Sequence, residues 1–152
     1  MTVTKLKPQQ YFPFDRAKGN HDNRLTPKQL YNKLDAEFHF NYDPCPANPT
    51  VGMREKDGLG SWGTRNYVNP PYSEKAVWIK KAIEEQQKGK LSVLLLPVDT
   101  STSWFHDLVI PNAEIRWIRG RVQFIPGMPA KFASMVCIFR PKTVFNSEKI
   151  KK

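Results

Sequence analysis

The sequence predicts an α/β domain whose sheet is mostly parallel with an antiparallel edge. Three observations carry that expectation. Helical and strand-like hydrophobic periods alternate from residue 27 onward. The run from Leu91 to Leu96 is almost continuously apolar, as a strand buried on both faces must be. The turn Asn69-Pro70-Pro71-Tyr72 closes a short strand-like run, and open α/β sheets bind ligands at the carboxyl ends of their strands.

Taken in order, residues 1–22 carry Pro8, Pro13 and Gly19 without a clear period and read as an irregular arm. Thr26 reads as an N-cap with Pro27 in the first helical position. Leu30, Leu34 and Phe38 follow at helical spacing and predict a helix over 27–38. Phe38, Phe40 and Tyr42 alternate as a short strand that ends at Asp43-Pro44-Cys45-Pro46. Residues 47–62 are rich in Gly, Pro and charge. Residues 65–68 form a brief strand, stopped by two prolines that donate nothing to a ladder. Ser73 then caps a helix over 74–88, with Ala76, Ile79, Ala82 and Ile83 on one face and Gly89 at its end. A helical turn is expected over 101–110, and strands near 113–118, 121–125 and 132–140. The whole divides into the arm 1–22, a domain over 23–141 and a basic tail over 142–152.

A chain of 152 residues fits one domain with its own core. No apolar run approaches the roughly 20 residues that span a bilayer. The first residues hold no apolar export core, so a cytoplasmic location is expected. Two cysteines, Cys45 and Cys137, do not make a disulfide framework. Twenty-four Lys and Arg against 14 Asp and Glu give a net charge of +10, which favours a polyanionic partner such as nucleic acid. His21, His39 and His106 lack metal-ligand spacing to each other or to the cysteines, and no metal site is expected.

The residues with the clearest chemistry are Asn69, Pro70, Pro71 and Tyr72. An exocyclic base amine is a poor nucleophile because its lone pair is delocalised into the ring. Two acceptors bonding both N–H groups favour a tetrahedral nitrogen and free that pair. An Asn side-chain oxygen and the next backbone carbonyl are such a pair. Two prolines hold this backbone out of helical geometry and remove competing N–H donors. An aromatic ring stacks on a base flipped from its duplex. Asn-Pro and Pro-Pro are also ordinary turn formers, so a simple turn remains the alternative for these four residues alone.

The chain resembles the phage-type Dam family of DNA adenine methyltransferases from about Asn23 to Phe139. The matching residues are Thr26-Pro27, LDAEFHFNYD from Leu34 to Asp43, Asp57-Gly58-Leu59 with Trp62, Asn69-Pro70-Pro71-Tyr72-Ser73 and Leu95-Leu96-Pro97. Trp104-Phe105-His106, AEIRWIRGRVQF at 113–124 and Phe132-Ala133-Ser134-Met135 complete the match. The resemblance implies an abbreviated Rossmann-like methyltransferase fold, S-adenosylmethionine as methyl donor, and double-stranded DNA as partner, in the host cytoplasm if the protein is phage-encoded.

It also implies roles. Asp43 receives the amino-acid portion of the cofactor, where a carboxylate suits the α-ammonium. Thr26-Pro27 meets the cofactor carboxylate at a helix N-terminus. Asp57 reads the adenine or ribose. Pro44, Cys45 and Leu59 flank these positions, and Asn69 borders the cofactor as well as the base. Ser73 beside Tyr72, and Arg119 beside Arg121, approach DNA. Read from the residues alone, Asp43 is a turn residue before proline, Thr26 a cap, Asp57 a loop turn and Arg121 a solvated hairpin residue. Trp62 flanks the cofactor or packs in the core.

One departure stands out. Asp43 is followed by Pro-Cys-Pro in place of spaced glycines, and only the 25 residues 44–68 separate it from Asn69. A βαβ unit needs about 30 residues, so the sheet must be abbreviated there. Methylation of the cytosine exocyclic amine shares this geometry, and a catalytically silent DNA-binding module of the same fold is the rival from another class.

Overall fold

The computed structural model describes residues 26–46, 58–125 and 127–142. The arm 1–22, most of the tail 142–152, and Asp57 lie outside the described residues.

The first helix, α1, spans Lys28–Phe38 and buries Leu30, Leu34 and Phe38, the three positions set by its period. Its N-cap is Pro27, with no side-chain cap bond. The expectation that Thr26 caps the helix is therefore corrected, and its hydroxyl is used elsewhere. The expected strand at 38–42 reduces to one parallel bridge, Tyr42 to Asn66. The Asn41 N–H reaches the Arg65 carbonyl at 2.9 Å, and the Tyr67 N–H reaches the Tyr42 carbonyl at 3.0 Å. This segment thus lies along strand β1, Arg65–Val68.

A short 3₁₀ turn, Tyr72–Glu74, leads from β1 into helix α2, Lys75–Gln87. Glu74 is the N-cap and makes no side-chain cap bond, so Ser73 does not cap α2 as expected. The first turn begins one residue later than the Ser73 reading requires. The helix buries Trp78, Ile79 and Ala82. Gly89 follows it with φ +85, a left-handed conformation that costs glycine nothing. Strand β2, Leu91–Pro97, returns parallel to β1.

All seven β2 residues are buried because the strand has a core on each face. Leu91, Val93 and Leu95 pack with Leu30, Leu34 and Tyr67 on the α1 side. Leu94 and Leu96 pack with Val68, Trp78 and Ile79 on the α2 side. The apolar run is thus the sum of two alternating faces.

A π-helical turn, Phe105–Val109, precedes β3, Glu114–Trp117; β4 is Ser134–Phe139. The order is β1-β2-β4-β3. Strand β4 is antiparallel to both β2 and β3. The sheet is therefore mixed, with three strands running one way and β4 against them. The mostly parallel expectation is corrected: two of the three strand pairs are antiparallel, and the reversed strand is internal. The reason is burial. All six β4 residues are buried, whereas Glu114 and Trp117 of β3 are exposed. A continuously apolar strand belongs inside, a half-polar one at the rim.

No strand forms over 121–125. Val122 and Phe124 are buried alternately, which imitates a strand period. Their segment instead folds back on itself: Ala130 N–H bonds the Val122 carbonyl at 3.0 Å, and Ile125 bridges Met128 across Gly127 at φ +74.

The loop at 58–63 is tied down from several sides. Trp62 Nε1 donates to the Gly58 carbonyl at 2.7 Å and its ring stacks on Trp78 with centroids 6.3 Å apart. Lys90 Nζ donates to the Trp62 carbonyl at 2.7 Å and pairs with buried Glu85 at 2.8 Å. Burial pushes the Glu85 carboxyl up, but bonds from Lys90 and Lys81 outweigh it and bring it down to about 2.

A Cβ at Gly58 would strike the Pro44 carbonyl oxygen and stand 2.5 Å from the Trp78 ring. Pro44 is backbone-constrained and Trp78 is buried, so neither yields readily. Gly58→Ala is expected to cost about 1–3 kcal/mol, as overpacking does. Urea unfolding measures this, and parental stability would refute the close approach of the two loops.

Candidate active site

Strand β1 ends at Val68, and Asn69 follows at its carboxyl end with 9% of its surface exposed. The Tyr42–Asn66 bridge, continued one residue, sets Asp43 level with Tyr67. Asp43 and Asn69 therefore stand at the same end of adjacent parallel segments, where a ligand in an open α/β sheet sits.

Three side chains meet there. Thr26 Oγ1 lies 2.6 Å from the Tyr67 hydroxyl and receives a bond from Asn69 Nδ2 at 3.2 Å. Tyr67 is buried, with its ring edge-on to Tyr31 at 5.1 Å and tilted against Phe40 at 5.3 Å. Burial pushes its phenol well up, a shift that the Asp43 charge adds to and the Thr26 bond opposes.

Asp43 is the electrostatic anomaly of the site. Burial raises its carboxyl to about 6, opposed by one bond from the Cys45 N–H at 2.9 Å. Among the described residues no Lys, Arg or His pairs with it. A half-buried carboxylate with no cation among the described residues is stabilised when something cationic arrives. This donor set fits a ligand ammonium.

The turn after Asn69 is held firmly. Pro71 has φ −58 and ψ 130, and its carbonyl accepts the Glu74 N–H at 3.1 Å. Lys75 Nζ bonds the Tyr72 carbonyl at 2.7 Å and lies 5.8 Å from the Trp104 ring centroid. The Tyr72 ring is edge-on to Phe132 at 5.1 Å and to Phe124 at 6.2 Å.

The structure thus brings together Thr26, Asp43 and Asn69. It sets Pro44 and Cys45 beside the loop carrying Gly58 and Leu59 through the Gly58–Pro44 approach. It joins Tyr72 and Ser73 to the segment of Arg119 and Arg121 through Phe124 and Phe132. Arg119, Arg121 and Ser73 are exposed, and Arg121 Nη1 also bonds the Ala130 carbonyl at 3.2 Å. Trp62 is 4% exposed and supports the loop from within the core.

Sequence reasoning gave no role to Tyr67, Lys75, Phe124 or Phe132. Phe124 and Phe132 lay in segments already recognised as matching, but nothing local tied them to Tyr72, more than fifty residues away. Tyr67, two residues before Asn69, was readable only as a core position.

A sequence model described as DNA N-6-adenine-methyltransferase (Dam) matches residues 15–145. The chain belongs to this family. Among relatives, it is 37% identical over 154 residues to a DNA N-6-adenine-methyltransferase of Escherichia phage T1, covering 86% of this chain and 65% of that protein. It is 29% identical over 150 residues to one of Haemophilus phage HP1 (strain HP1c1), covering 87% and 86%. The chain thus spans just under two thirds of the T1 protein's length. No solved structure matches it.

Proposed function

We propose that this Dam-family chain transfers a methyl group from S-adenosylmethionine to the exocyclic N6 amine of adenine in double-stranded DNA. The observation that carries this reading is the juxtaposition of Asn69, its amide held by Thr26, with the half-buried Asp43 carboxylate, which has no cation among the described residues. Bound S-adenosylmethionine supplies an electrophilic methyl group on its sulfonium.

Asp43 would hold the cofactor's ammonium, and the N-terminus of α1 at Thr26–Pro27 would face its carboxylate. Pro44, Cys45, Asp57 and Leu59 would flank the nucleoside, with Asn69 between it and the base. Asn69 Oδ1 and the Pro70 carbonyl accept the two N–H groups of the amine, so that its lone pair is released from the ring. Pro71 keeps this backbone extended. Tyr72 stacks on the flipped base. The fold is an abbreviated Rossmann-like methyltransferase domain over 23–141, supported by three co-oriented strands and the α2 crossover between β1 and β2. The flanks are 1–22 and 142–152, and the site of action is the cytoplasm, that of the host cell if the protein is phage-encoded.

Transfer of radiolabelled methyl from S-adenosylmethionine to duplex DNA, followed by digestion to nucleosides, tests this. Label in N6-methyl-2′-deoxyadenosine is expected. Label in N4-methyl-2′-deoxycytidine would move the acceptor to the other base, and binding without transfer would make the chain a silent DNA-binding module.

With a net charge of +10, DNA affinity should fall linearly with salt on a logarithmic plot. Ser73 and Arg121 would approach the DNA along with Arg119. Arg119→Ala should flatten the slope by about one phosphate contact. Titrations at several salt concentrations measure this, and an unchanged slope would place Arg119 off the DNA.

A further inference from the structure

We infer that Thr26 and Tyr67 are positioning residues that decide which end of the Asn69 amide faces the reacting amine. The inference rests on the reading of Asn69 as the amine's acceptor. An Asn amide is planar, and its two ends differ little in size. Facing forward, Oδ1 accepts the amine's N–H; facing forward, Nδ2 sets donor against donor and opposes the reaction. Something must therefore choose the end.

The hydroxyl of Thr26 makes that choice. It carries one proton and lies 2.6 Å from the Tyr67 oxygen. Either oxygen of this pair could be the donor; the inference assigns the donor as Thr26, whose proton then points at Tyr67 and leaves only lone pairs for Asn69. The amide must then offer Nδ2, which it does at 3.2 Å, and Oδ1 is turned away from Thr26. The Thr26 hydroxyl is free for this because it makes no helix-cap bond: Pro27 holds the N-cap position of α1. Tyr67 is a fixed post. It is 2% exposed, its N–H is bonded to the Tyr42 carbonyl at 3.0 Å, and the Tyr31 and Phe40 rings enclose its own. Removing the Tyr67 oxygen returns the proton to Thr26, which can then donate to Oδ1 and favour the wrong end.

The test measures single-turnover methyl transfer, calorimetric S-adenosylmethionine affinity and thermal unfolding for Tyr67→Phe, Thr26→Val and Thr26→Ser. Tyr67→Phe keeps the ring and is the deciding variant. Its transfer rate is expected to fall about 10-fold, less than for loss of a whole transition-state contact, with cofactor affinity within about twofold and the fold intact. Thr26→Val should fall likewise, and Thr26→Ser, which keeps the hydroxyl, should retain the parental rate within about threefold. A Tyr67→Phe rate equal to the parent overturns the inference, as does a rate loss matched by lost cofactor affinity. Asn69→Ala separates the two readings. If it also leaves the rate unchanged, the acceptor assignment itself has failed; if it abolishes transfer, only the positioning role has.

Discussion

Asn69→Ala is expected to lower methyl transfer by roughly 10²-fold or more, the usual cost of removing a contact made mainly in the transition state. The amide oxygen gains most as the amine becomes tetrahedral and its N–H groups more acidic. Its loss should therefore fall on the chemical step and leave S-adenosylmethionine affinity nearly unchanged. Asn69 is almost fully buried between Thr26 and the end of β1, so truncation also leaves a small void. Unfolding is measured alongside to separate that cost. Single-turnover kinetics with saturating DNA and cofactor decide the matter: a folded variant working at near the parental rate would remove Asn69 from the chemistry.

Asp43→Asn should act on the cofactor and on stability in opposite directions. A lost charge-assisted bond to an ammonium costs about 1.5–3 kcal/mol, or roughly 10–150-fold in affinity. On the proposed reading, binding by the parent uses the ionised carboxylate, and burial holds that carboxyl at about 6. Affinity should therefore rise as pH rises through 6 and level off above it, being about tenfold weaker at pH 5 than at pH 8. The neighbouring Tyr31 and Tyr67 phenols are both pushed up by burial and by the Asp43 charge, and stay neutral over this range.

For stability without cofactor the sign reverses. The folded chain binds more protons than the unfolded one between the ordinary value of 3.8 and about 6. Ionising Asp43 therefore costs stability progressively as pH rises across that window. The Asn variant carries no such cost and should be the more stable protein above pH 6, while still accepting the Cys45 N–H. Calorimetric titration from pH 5 to 8, with unfolding over the same range, checks both halves. Affinity that is flat with pH in the parent would place the cofactor's ammonium elsewhere.

Several parts of this molecule were legible because their cause is local. The period of Leu30, Leu34 and Phe38 is the buried stripe of α1. The run from Leu91 to Leu96 is a strand with a core on each face. The stop at Pro70-Pro71 is a matter of missing donors and restricted backbone angles. Other readings failed where local chemistry had two outlets. Thr26 before Pro27 has the form of a cap, and Ser73 likewise, but a cap is only one use of a hydroxyl, and Tyr67 with Asn69 offered Thr26 another. Val122 and Phe124 alternate as a strand does, although alternation records burial and not pairing; their backbone turned back on itself at Gly127.

By itself, then, the sequence determined the elements whose hydrophobic period outlasts a turn and the family to which the chain belongs. Only the tertiary structure decided that β4 runs reversed inside the sheet, that Asp43 is half-buried with no cation among the described residues, and that Thr26, itself bonded to Tyr67, holds the Asn69 amide. The physical reason is separation along the chain. Thr26 and Asn69 are 43 positions apart, and no pattern of propensity or period relates them. Their contact exists because α1 and β1 pack through a shared core, and the electrostatic state of Asp43 exists because that packing excludes water.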